Sequence, residues 1–459
     1  MPDRDVRTHQ GGLTLVGMDG RVVLDVRTLA DDYPIHVAAQ DRPEPYRRAT
    51  LHRDVADEHG GGGDEGVGGD LRRLPAVAVK RHVGNNSAMK TRDLRITGYR
   101  PLVPPAIILE ELALTESGSR AVAGWRDELA RILDLADDRL IAIVGPCSIH
   151  DPIAALDYAR RLHAVGDELR ADLVVVMRAY FMKPRTSVGW KGLVSDPRRD
   201  GSFRINDGLR MTRRLLLDLV EIGVPAACEF VDPISPQYTS DLVAWAAIGA
   251  RTTESQVHRE LASGLSMPVG FKNGTDGSVQ VAIDAVRAAR EPHSFMGVTE
   301  QGLAAIVETG GNPSSHVVLR GGTPGPNHGR ESVSRTLQAL RSTGLPAHLV
   351  IDFSHGNSGR DHRRQQTVAR EVAAQIADGE PGIVGVMAES FIVEGRQDAD
   401  AEPLVYGQSI TDACIGWETT VDVLRELATA VRARRVAASS AGARSADSRS
   451  PAQSRSTPL

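Results

Sequence analysis

Four residues far apart in the chain could together hold a transition metal: Cys147, His355, Glu389 and Asp412. One thiolate, one imidazole and two carboxylates mix soft and hard donors, a set that suits Mn, Fe, Co, Zn or Cu better than Mg or Ca. No two of them stand at a short motif spacing, and a lone cysteine is by default a buried thiol. They form a metal site only if the fold brings them together.

A second set of residues is cationic and consists of Arg178, Lys183, Arg185, Arg251, Lys272 and Arg320. Arginine suits a bidentate grip on phosphate or carboxylate, and the segment Lys183-Pro184-Arg185-Thr186 places two cations and a hydroxyl on one stiffened loop. Six cations share a pocket only if anions bind there or carboxylates offset the charge. Either these are scattered surface charges, or they predict a polyanionic substrate or two phosphorylated substrates.

Nine short apolar runs between helical patterns predict the strands that position these residues. They are Leu140–Val144, Leu173–Met177, Ala226–Phe230, Ala246–Ala250, Val269–Phe271, Phe295–Val298, Val317–Leu319, Leu349–Phe353 and Ile383–Met387. Alternation of strand and helix implies a parallel sheet covered on both faces, whose strands read as continuous apolar runs. One helix is predicted to begin near Asp151, with Pro152 at its first position.

Eight of the nine runs are followed at once by a reactive or charged side chain. These residues are Cys147, Arg178, Glu229, Arg251, Lys272, Arg320, His355 and Glu389. Only Phe295–Val298 lacks one, and we assign it to an inserted strand. Eight strands with chemistry at their carboxyl ends predict a TIM (β/α)8 barrel, whose active site lies at that face. A doubly wound sheet would concentrate its chemistry at one switch point.

Composition excludes several classes of function. The chain has 459 residues, 41% of them hydrophobic, and a formal net charge of −5. Nearly balanced charge and an aromatic content of 4% argue against nucleic acid as a partner. No apolar run approaches the ~18 residues of a membrane helix, and residues 1–10 lack the apolar core of a signal peptide. Three cysteines form no disulfide framework and fit the reducing cytoplasm.

The two ends differ from the middle of the chain. Residues 1–92 are rich in Asp, Arg, His and Gly and are expected to be a low-complexity, disordered extension. Within them only Leu13–Val16 and Val22–Val26 could pair, as a weak hairpin. Residues 93–435 carry the barrel pattern. Residues 436–459, rich in Ser, Ala, Arg and Pro, are expected to be a disordered tail.

Longer motifs at these positions make the sequence similar to a known family. They include Gly145-Pro146-Cys147-Ser148-Ile149-His150, Lys183-Pro184-Arg185-Thr186, Gly249-Ala250-Arg251-Thr252-Thr253-Glu254-Ser255, Gly270-Phe271-Lys272-Asn273-Gly274, Leu319-Arg320-Gly321-Gly322, Asp352-Phe353-Ser354-His355 and Thr411-Asp412-Ala413-Cys414. In this order, over residues 93–435, they closely resemble the type I 3-deoxy-D-arabino-heptulosonate 7-phosphate (DAHP) synthases, the first enzymes of the shikimate pathway.

The resemblance implies a TIM barrel that condenses phosphoenolpyruvate with erythrose 4-phosphate and water and releases phosphate. It implies a divalent metal ion (Mn, Fe, Co or Zn) on Cys147, His355, Glu389 and Asp412. Phosphoenolpyruvate would bind to Arg178, Lys183, Arg251, Lys272 and Arg320, and the erythrose phosphate to Arg185 and Thr186. The expected catalytic residues are Lys183, Glu229 and His355, with Glu229 orienting Lys183 or the attacking water.

Members of this family are often inhibited by an aromatic amino acid at a separate site. The matching residues here are Asp93, Ile96, Pro233, Gln237, Ser266 and Phe295. Pro233 and the segment Gly264-Leu265-Ser266-Met267 resemble tyrosine-inhibited members more than phenylalanine-inhibited ones, so tyrosine is the expected inhibitor. The alternative is that these residues only pack a subunit interface. The resemblance also implies a homodimer or homotetramer.

Two other functions remain open at this point. A 3-deoxy-octulosonate 8-phosphate synthase has a related fold and mechanism but uses arabinose 5-phosphate. The segment Lys183–Thr186 and the regulatory residues favour the seven-carbon product instead. A non-catalytic barrel retained as a binding partner would have no need of both the cations and the metal ligands.

Overall fold

The computed structural model describes residues 91–184 and 189–447, with side chains up to residue 439, and the backbone of three earlier strands. Those strands are β1 (Leu13–Met18), β2 (Arg21–Val26) and β3 (Ile35–Ala38). The chain divides into two compact units, Met1–Leu94 and Arg95–Leu459. In the first unit β2 pairs antiparallel with both β1 and β3, so the predicted hairpin is present and a third strand extends it.

The second unit contains twelve strands and ten helices among the described residues, together with two short 3₁₀ helices. Its strands are β4 (Leu140–Gly145), β5 (Leu173–Arg178), β6 (Ala226–Glu229), β7 (Trp245–Ile248), β8 (Val269–Lys272), β9 (His293–Val298), β10 (Ala304–Thr309), β11 (His316–Leu319), β12 (Leu349–Asp352), β13 (Ile383–Glu389), β14 (Val393–Arg396) and β15 (Gln408–Ser409). Its helices are α1 (Pro105–Glu111), α2 (Glu116–Leu133), α3 (Pro152–Leu169), α4 (Ile205–Ile222), α5 (Pro236–Thr239), α6 (Gln256–Gly264), α7 (Gln280–Ala289), α8 (Arg330–Ser342), α9 (Gln365–Ala377) and α10 (Trp417–Asp447).

Eight strands form a closed parallel barrel in the order β4, β5, β6, β7, β8, β11, β12 and β13, which returns to β4. The predicted TIM barrel is therefore confirmed. Because a strand presents alternate residues to its two faces, Ile141 and Ile143 point into the barrel while Leu140 and Ala142 pack against the helices outside. Leu129 and Leu133 of α2 join the inner cluster, and Arg126 of the same helix donates to Val243 O (2.9 Å) before β7. Helix α2 therefore closes the amino-terminal end of the barrel.

Helix α3 begins where the sequence predicts, and its start explains how the loop after β4 is held. The Asp151 carboxylate accepts hydrogen bonds from the backbone N–H of Ile153 (2.9 Å) and Ala154 (3.2 Å). Pro152 at the first helical position has no N–H to leave unsatisfied. This N-cap fixes the end of the loop that carries Cys147.

The predicted inserted strand is also confirmed, as β9, and lies outside the barrel in a two-stranded antiparallel sheet. The sequence analysis did not foresee its partner β10, in which Val307 pairs with Phe295. Met296 on β9 and Ile306 on β10 are among the most exposed apolar side chains of the described residues, at 91% and 77%.

The last helix extends further than the sequence predicts. Helix α10 continues past Arg435 to Asp447, into the segment expected to be a disordered tail. Residues 436–447 contain five alanines, and alanine has the highest intrinsic helix propensity. In the described part of the chain no helix is both long and apolar enough to cross a membrane.

Candidate active site

The carboxyl ends of the eight barrel strands carry the eight side chains that the sequence analysis singled out. Arg178, Glu229, Lys272 and Glu389 are the last residues of β5, β6, β8 and β13. Cys147, Arg251, Arg320 and His355 follow β4, β7, β11 and β12 within three residues. Parallel strands in a closed barrel end at the same face, so residues distant in sequence meet there.

Seven of these eight side chains, all but Cys147, line one cavity of about 280 Å³. Among the described residues that line it, seven are Arg or Lys and three are carboxylates. The cations are Arg178, Lys183, Arg251, Lys272, Arg320, Arg360 and Arg396, and the carboxylates are Glu229, Glu389 and Asp412. Such an excess of positive charge in one concave site is suited to a ligand with several negative charges.

Three of the four expected metal ligands form a compact cluster beside this cavity. Ligand atoms of Cys147, Glu389 and Asp412 all lie within 4.8 Å of one another, and Cys147 Sγ is 3.2 Å from Asp412 Oδ2. His355, the fourth, lies outside this cluster, but its Nε2 is 3.8 Å from Glu389 Oε1. A thiol, an imidazole and two carboxylates at these separations can converge on one transition-metal ion.

The Cys147 thiol is fully buried, and Lys183 is its nearest cation. Lys183 Nζ lies 2.9 Å from Cys147 Sγ and 3.8 Å from Asp412 Oδ2. Burial, reinforced by the charge of Glu389, raises the pKa of Cys147 to about 12, although Lys183 opposes the shift. A metal ion must therefore displace the thiol proton to bind there.

A buried carboxylate that the sequence analysis did not single out links a cation to the metal-ligand set. Asp352 Oδ2 lies 3.1 Å from Lys272 Nζ and 3.1 Å from His355 Nδ1. Burial alone would raise the pKa of Asp352, but the charges of Lys272 and His355 hold it well below the ordinary value. The arrangement orients the imidazole so that Nε2 faces Glu389.

Arg178 is completely buried at the floor of the cavity. Its guanidinium donates to Glu389 Oε1 at 3.3 Å and lies over the ring of Tyr180, 3.9 Å from the ring centroid. Stacking and ion pairing fix the plane of the guanidinium and leave part of its donor fork for a ligand. Its Nε is a buried donor without a partner among the described residues.

Arg320 and three glycine-rich loops form another part of the cavity rim. Gly356 N–H and Asn357 N–H donate to the Arg320 carbonyl at 3.0 and 3.3 Å. A Cβ on Gly322 would lie 2.3 Å from Gly277 Cα, and one on Gly356 would lie 2.4 Å from Gly322 N. The loops after β8, β11 and β12 therefore touch backbone to backbone, with no room for a side chain between them.

Glu229 lies in the cavity wall, and Gly249 makes room for it. A Cβ on Gly249 would lie 2.0 Å from Glu229 Oε1. Glu229 adds a carboxylate to a wall otherwise rich in cations, and its charge acts on Lys183.

Arg185 and Thr186 lie outside the described residues. The residue before them, Pro184, lines the cavity, and its carbonyl accepts a hydrogen bond from Arg251 Nη1 at 3.2 Å. The described part of the loop therefore reaches the wall of this cavity at Pro184.

The six residues of the expected inhibitor site lie on several elements. Asp93 is half-buried in the first unit, and Ile96 is exposed. Pro233 precedes α5, Gln237 lies in it, Ser266 follows α6, and Phe295 is on β9. Helix α6 contacts two of these regions, because its His258 bonds to Val231 O (3.0 Å) and its Ser263 meets Thr309 of β10 (2.6 Å).

Two residues in or beside the cavity, Asp352 and Gln365, were not predicted from the sequence. Asp352 lies within the predicted strand Leu349–Phe353 and also begins the motif Asp352-Phe353-Ser354-His355, but neither pattern indicates a role for its carboxylate. Gln365, at the start of α9, exchanges two hydrogen bonds with the backbone of Glu389 (2.9 and 3.0 Å). No sequence spacing indicates that contact, because it joins the start of a helix to the next strand.

The chain is similar to known proteins across its barrel. The model of the DAHP synthetase I family matches residues 120–425. The chain is 57% identical over 344 residues to the Phe-sensitive phospho-2-dehydro-3-deoxyheptonate aldolase of Escherichia coli (strain K12), which covers 75% of this chain and 98% of that protein. It is 54% identical over 348 residues to the tyrosine-inhibited enzyme of Schizosaccharomyces pombe, covering 75% and 94%.

A solved structure is similar as well. The phospho-2-dehydro-3-deoxyheptonate aldolase from Francisella tularensis SCHU S4 superposes with a TM-score of 0.73 at 47% sequence identity. The match covers 74% of this chain and 99% of that one. The three comparisons agree on one family across the barrel.

Proposed function

The chain belongs to the DAHP synthetase I family, whose reaction condenses phosphoenolpyruvate with erythrose 4-phosphate at the start of the shikimate pathway, and we propose how its residues perform that reaction. The observation that carries the proposal is the cluster of Cys147, Glu389 and Asp412 at the edge of a cavity lined by seven cations. It combines donors for a metal ion with charge for two phosphorylated substrates.

Cys147, His355, Glu389 and Asp412 are the proposed metal ligands. The mixture of one sulfur, one nitrogen and two carboxylates fits Mn, Fe, Co or Zn. Asp352, 3.1 Å from His355 Nδ1, orients the imidazole, as a second carboxylate commonly does for a metal-bound histidine. A divalent ion bound here would act as a Lewis acid toward the aldehyde oxygen of the sugar phosphate.

Phosphoenolpyruvate is proposed to bind to Arg178, Lys183, Arg251, Lys272 and Arg320. Arg178, Lys183 and Lys272 each lie within 4.0 Å of a carboxylate, so they are partly neutralised and held in place. Arg251 and Arg320 make no ion pair within the described residues, which leaves their forks for phosphate oxygens. Arg185 and Thr186 are proposed to bind the phosphate of erythrose 4-phosphate.

The reaction joins two substrates and adds water. C3 of phosphoenolpyruvate forms a bond to the aldehyde carbon, and Lys183, close to Cys147 and Asp412, supplies a proton to the new hydroxyl oxygen. Positive character develops at C2, where water adds and gives up one proton, which replaces the proton that Lys183 supplied; the resulting hemiketal then expels phosphate. Glu229 is proposed to orient Lys183 or the attacking water from the cavity wall.

Phosphate release from the purified chain tests this assignment. Turnover with phosphoenolpyruvate and erythrose 4-phosphate should vanish after treatment with EDTA and return with Mn²⁺. Arabinose 5-phosphate, the acceptor of the eight-carbon synthases, should not replace erythrose 4-phosphate. Activity with arabinose 5-phosphate alone would contradict the proposed acceptor, and no turnover from folded, metal-loaded protein would indicate a non-catalytic barrel.

An aromatic amino acid is the proposed inhibitor, and tyrosine remains the expected one. One relative is named Phe-sensitive and another tyrosine-inhibited at nearly the same identity, so overall identity does not select between them.

A homodimer or homotetramer is proposed because β9 and β10 expose Met296 and Ile306. Three free cysteines support a reducing, cytoplasmic location.

A further inference from the structure

Two cations of the cavity, Arg360 and Arg396, have no role in the assignments above, and the charge of Arg360 acts on the assigned Arg320. Arg360, on the loop after β12, lines the cavity together with Arg251, Arg320 and Ser358. Within residues 91–184 and 189–447 its guanidinium has no carboxylate partner, although Arg363 on the same loop lies 3.7 Å from Glu394. An unpaired guanidinium in a concave site is available to an anionic ligand.

The backbone holds Arg360 in a conformation that ordinary residues rarely adopt. Its φ is 64°, in the left-handed region, and its N–H donates to the His355 carbonyl at 2.7 Å. The same loop is fastened to Arg320 through the Gly356 N–H (3.0 Å). Left-handed conformations at residues other than glycine persist where the surrounding contacts fix them, and they concentrate at functional sites.

The charges of three arginines add up at one side of the cavity. Burial lowers the pKa of Arg320; the negative charges of Asp352 and Glu389 oppose this shift, and the positive charges of Arg360 and Arg251 add to it. Arg320 is 7% exposed, whereas Arg251 and Arg360 lie at the surface of the cavity mouth. None of the three arginines forms an ion pair within the described residues, so a bound anion would stabilise them together, and three guanidinium groups suit a phosphate dianion.

We propose that Arg360 binds the phosphate group of phosphoenolpyruvate, together with Arg251 and Arg320. This inference rests on the proposed assignment of Arg251 and Arg320 to that substrate. The loop that carries Arg360 also carries His355, and the Arg360 N–H donates to the His355 carbonyl. The proposed phosphate-binding residue and the proposed metal ligand therefore belong to the same hydrogen-bonded turn. Binding of the phosphate would thereby order the segment that presents His355.

Steady-state kinetics of the metal-loaded full chain test the proposal. Arg360→Gln should raise KM for phosphoenolpyruvate about 10- to 100-fold, the loss expected for one charge-assisted contact, with KM for erythrose 4-phosphate changed less than threefold. Inhibition by inorganic phosphate should weaken by a similar factor. Arg360→Lys should recover part of both losses, because it restores the charge without the fork.

Two further variants make the result decisive. Arg363→Gln is the matched control, since Arg363 is on the same loop, is 78% exposed and does not line the cavity. The proposal is wrong if Arg360→Gln and Arg363→Gln have the same KM for phosphoenolpyruvate and the same inhibition by phosphate. It is also wrong if Arg360→Gln changes only kcat or only KM for erythrose 4-phosphate. Arg320→Gln is the reference: if it also leaves KM for phosphoenolpyruvate unchanged, the assigned phosphate site fails as well.

Discussion

The Glu229 carboxylate occupies the space beside Gly249 that a side chain would need, with Oε1 only 2.0 Å from the ideal Cβ position. We expect Gly249→Ala to displace the carboxylate and to lower kcat by more than about tenfold, part of the ~100-fold or more that a positioned acid–base group contributes. Glu229→Gln should cause a comparable loss with unchanged metal affinity. If Gly249→Ala kept full activity while Glu229→Gln was inactive, the prediction would be wrong, because the Glu229 carboxylate would not need the space beside Gly249.

The pair of Asp352 with His355 should control metal affinity. Asp352→Asn removes the carboxylate 3.1 Å from His355 Nδ1 and leaves Lys272 buried without its partner. Metal affinity should fall about 10- to 100-fold, as for other carboxylates that support a metal-bound histidine. Competition with a fluorescent chelator measures the affinity, and Asp378→Asn, on an exposed carboxylate paired with Arg330, is the control. Equal affinities for the two variants would contradict the orienting role of Asp352.

Metal binding should release a proton from Cys147. The pKa of the free thiol is raised to about 12, whereas a metal ligand must be a thiolate. Near pH 8, calorimetry in buffers of different ionisation enthalpy should detect about one proton released per metal ion. Cys147→Ser should abolish this release and weaken binding, while Cys228→Ser, at another buried thiol, should retain both. Binding without proton release in the unmodified chain would mean that Cys147 is no ligand.

Two buried histidines at the amino-terminal end of the barrel should make folding sensitive to acid. Burial lowers the pKa of His316 to about 3 and that of His348 to about 4. His316 Nε2 accepts from Trp245 Nε1 at 3.2 Å while Nδ1 lies 2.9 Å from Ser314 O, so protonation would place one donor against another.

The sign of the pH effect follows from these values. In the unfolded chain the histidines take up protons near pH 6.5, while in the folded chain they remain neutral to about pH 4. Their contribution to stability is therefore full above pH 6.5 and is lost as the pH falls, by up to about 1.4 kcal/mol per unit for each histidine. Urea unfolding at pH 7 and at pH 5 measures how much free energy of unfolding is lost on acidification. This loss should be smaller in His316→Gln than in the unmodified chain, but not in His163→Gln, whose imidazole is at the surface. Parallel losses in all three proteins would contradict this source of acid sensitivity.

Inhibition should respond to one face of the inserted hairpin. Phe295 on β9 is half-buried, whereas its neighbour Met296 points to the opposite face. We expect tyrosine to inhibit more strongly than phenylalanine or tryptophan, and Phe295→Ala to weaken that inhibition at least tenfold with kcat unchanged. Met296→Ala should not weaken inhibition by tyrosine. Dose–response curves for tyrosine with each variant measure the difference. Undiminished inhibition of Phe295→Ala would remove Phe295 from the inhibitor site.

The barrel and the convergence of its strand ends could be predicted because both depend on local signals. Each buried strand reads as an apolar run, and parallel topology sends all the carboxyl ends to one face. The strand β10 escaped because its residues alternate between half-buried and exposed positions rather than forming a continuous run. Asp352 and Arg360 escaped because their roles arise from contacts between loops, and no spacing in the sequence encodes which loops will touch.

The contact among the glycine-rich loops after β8, β11 and β12 limits how this site can diverge. An inserted residue in any one of them would push a backbone into its neighbour, since a Cβ on Gly322 or on Gly356 would already lie within 2.4 Å of the backbone of the adjacent loop. Loop grafting for altered acceptor preference should therefore transplant these three segments together. Length changes are better placed between β13 and α10, where residues 397–407 connect short strands at the surface.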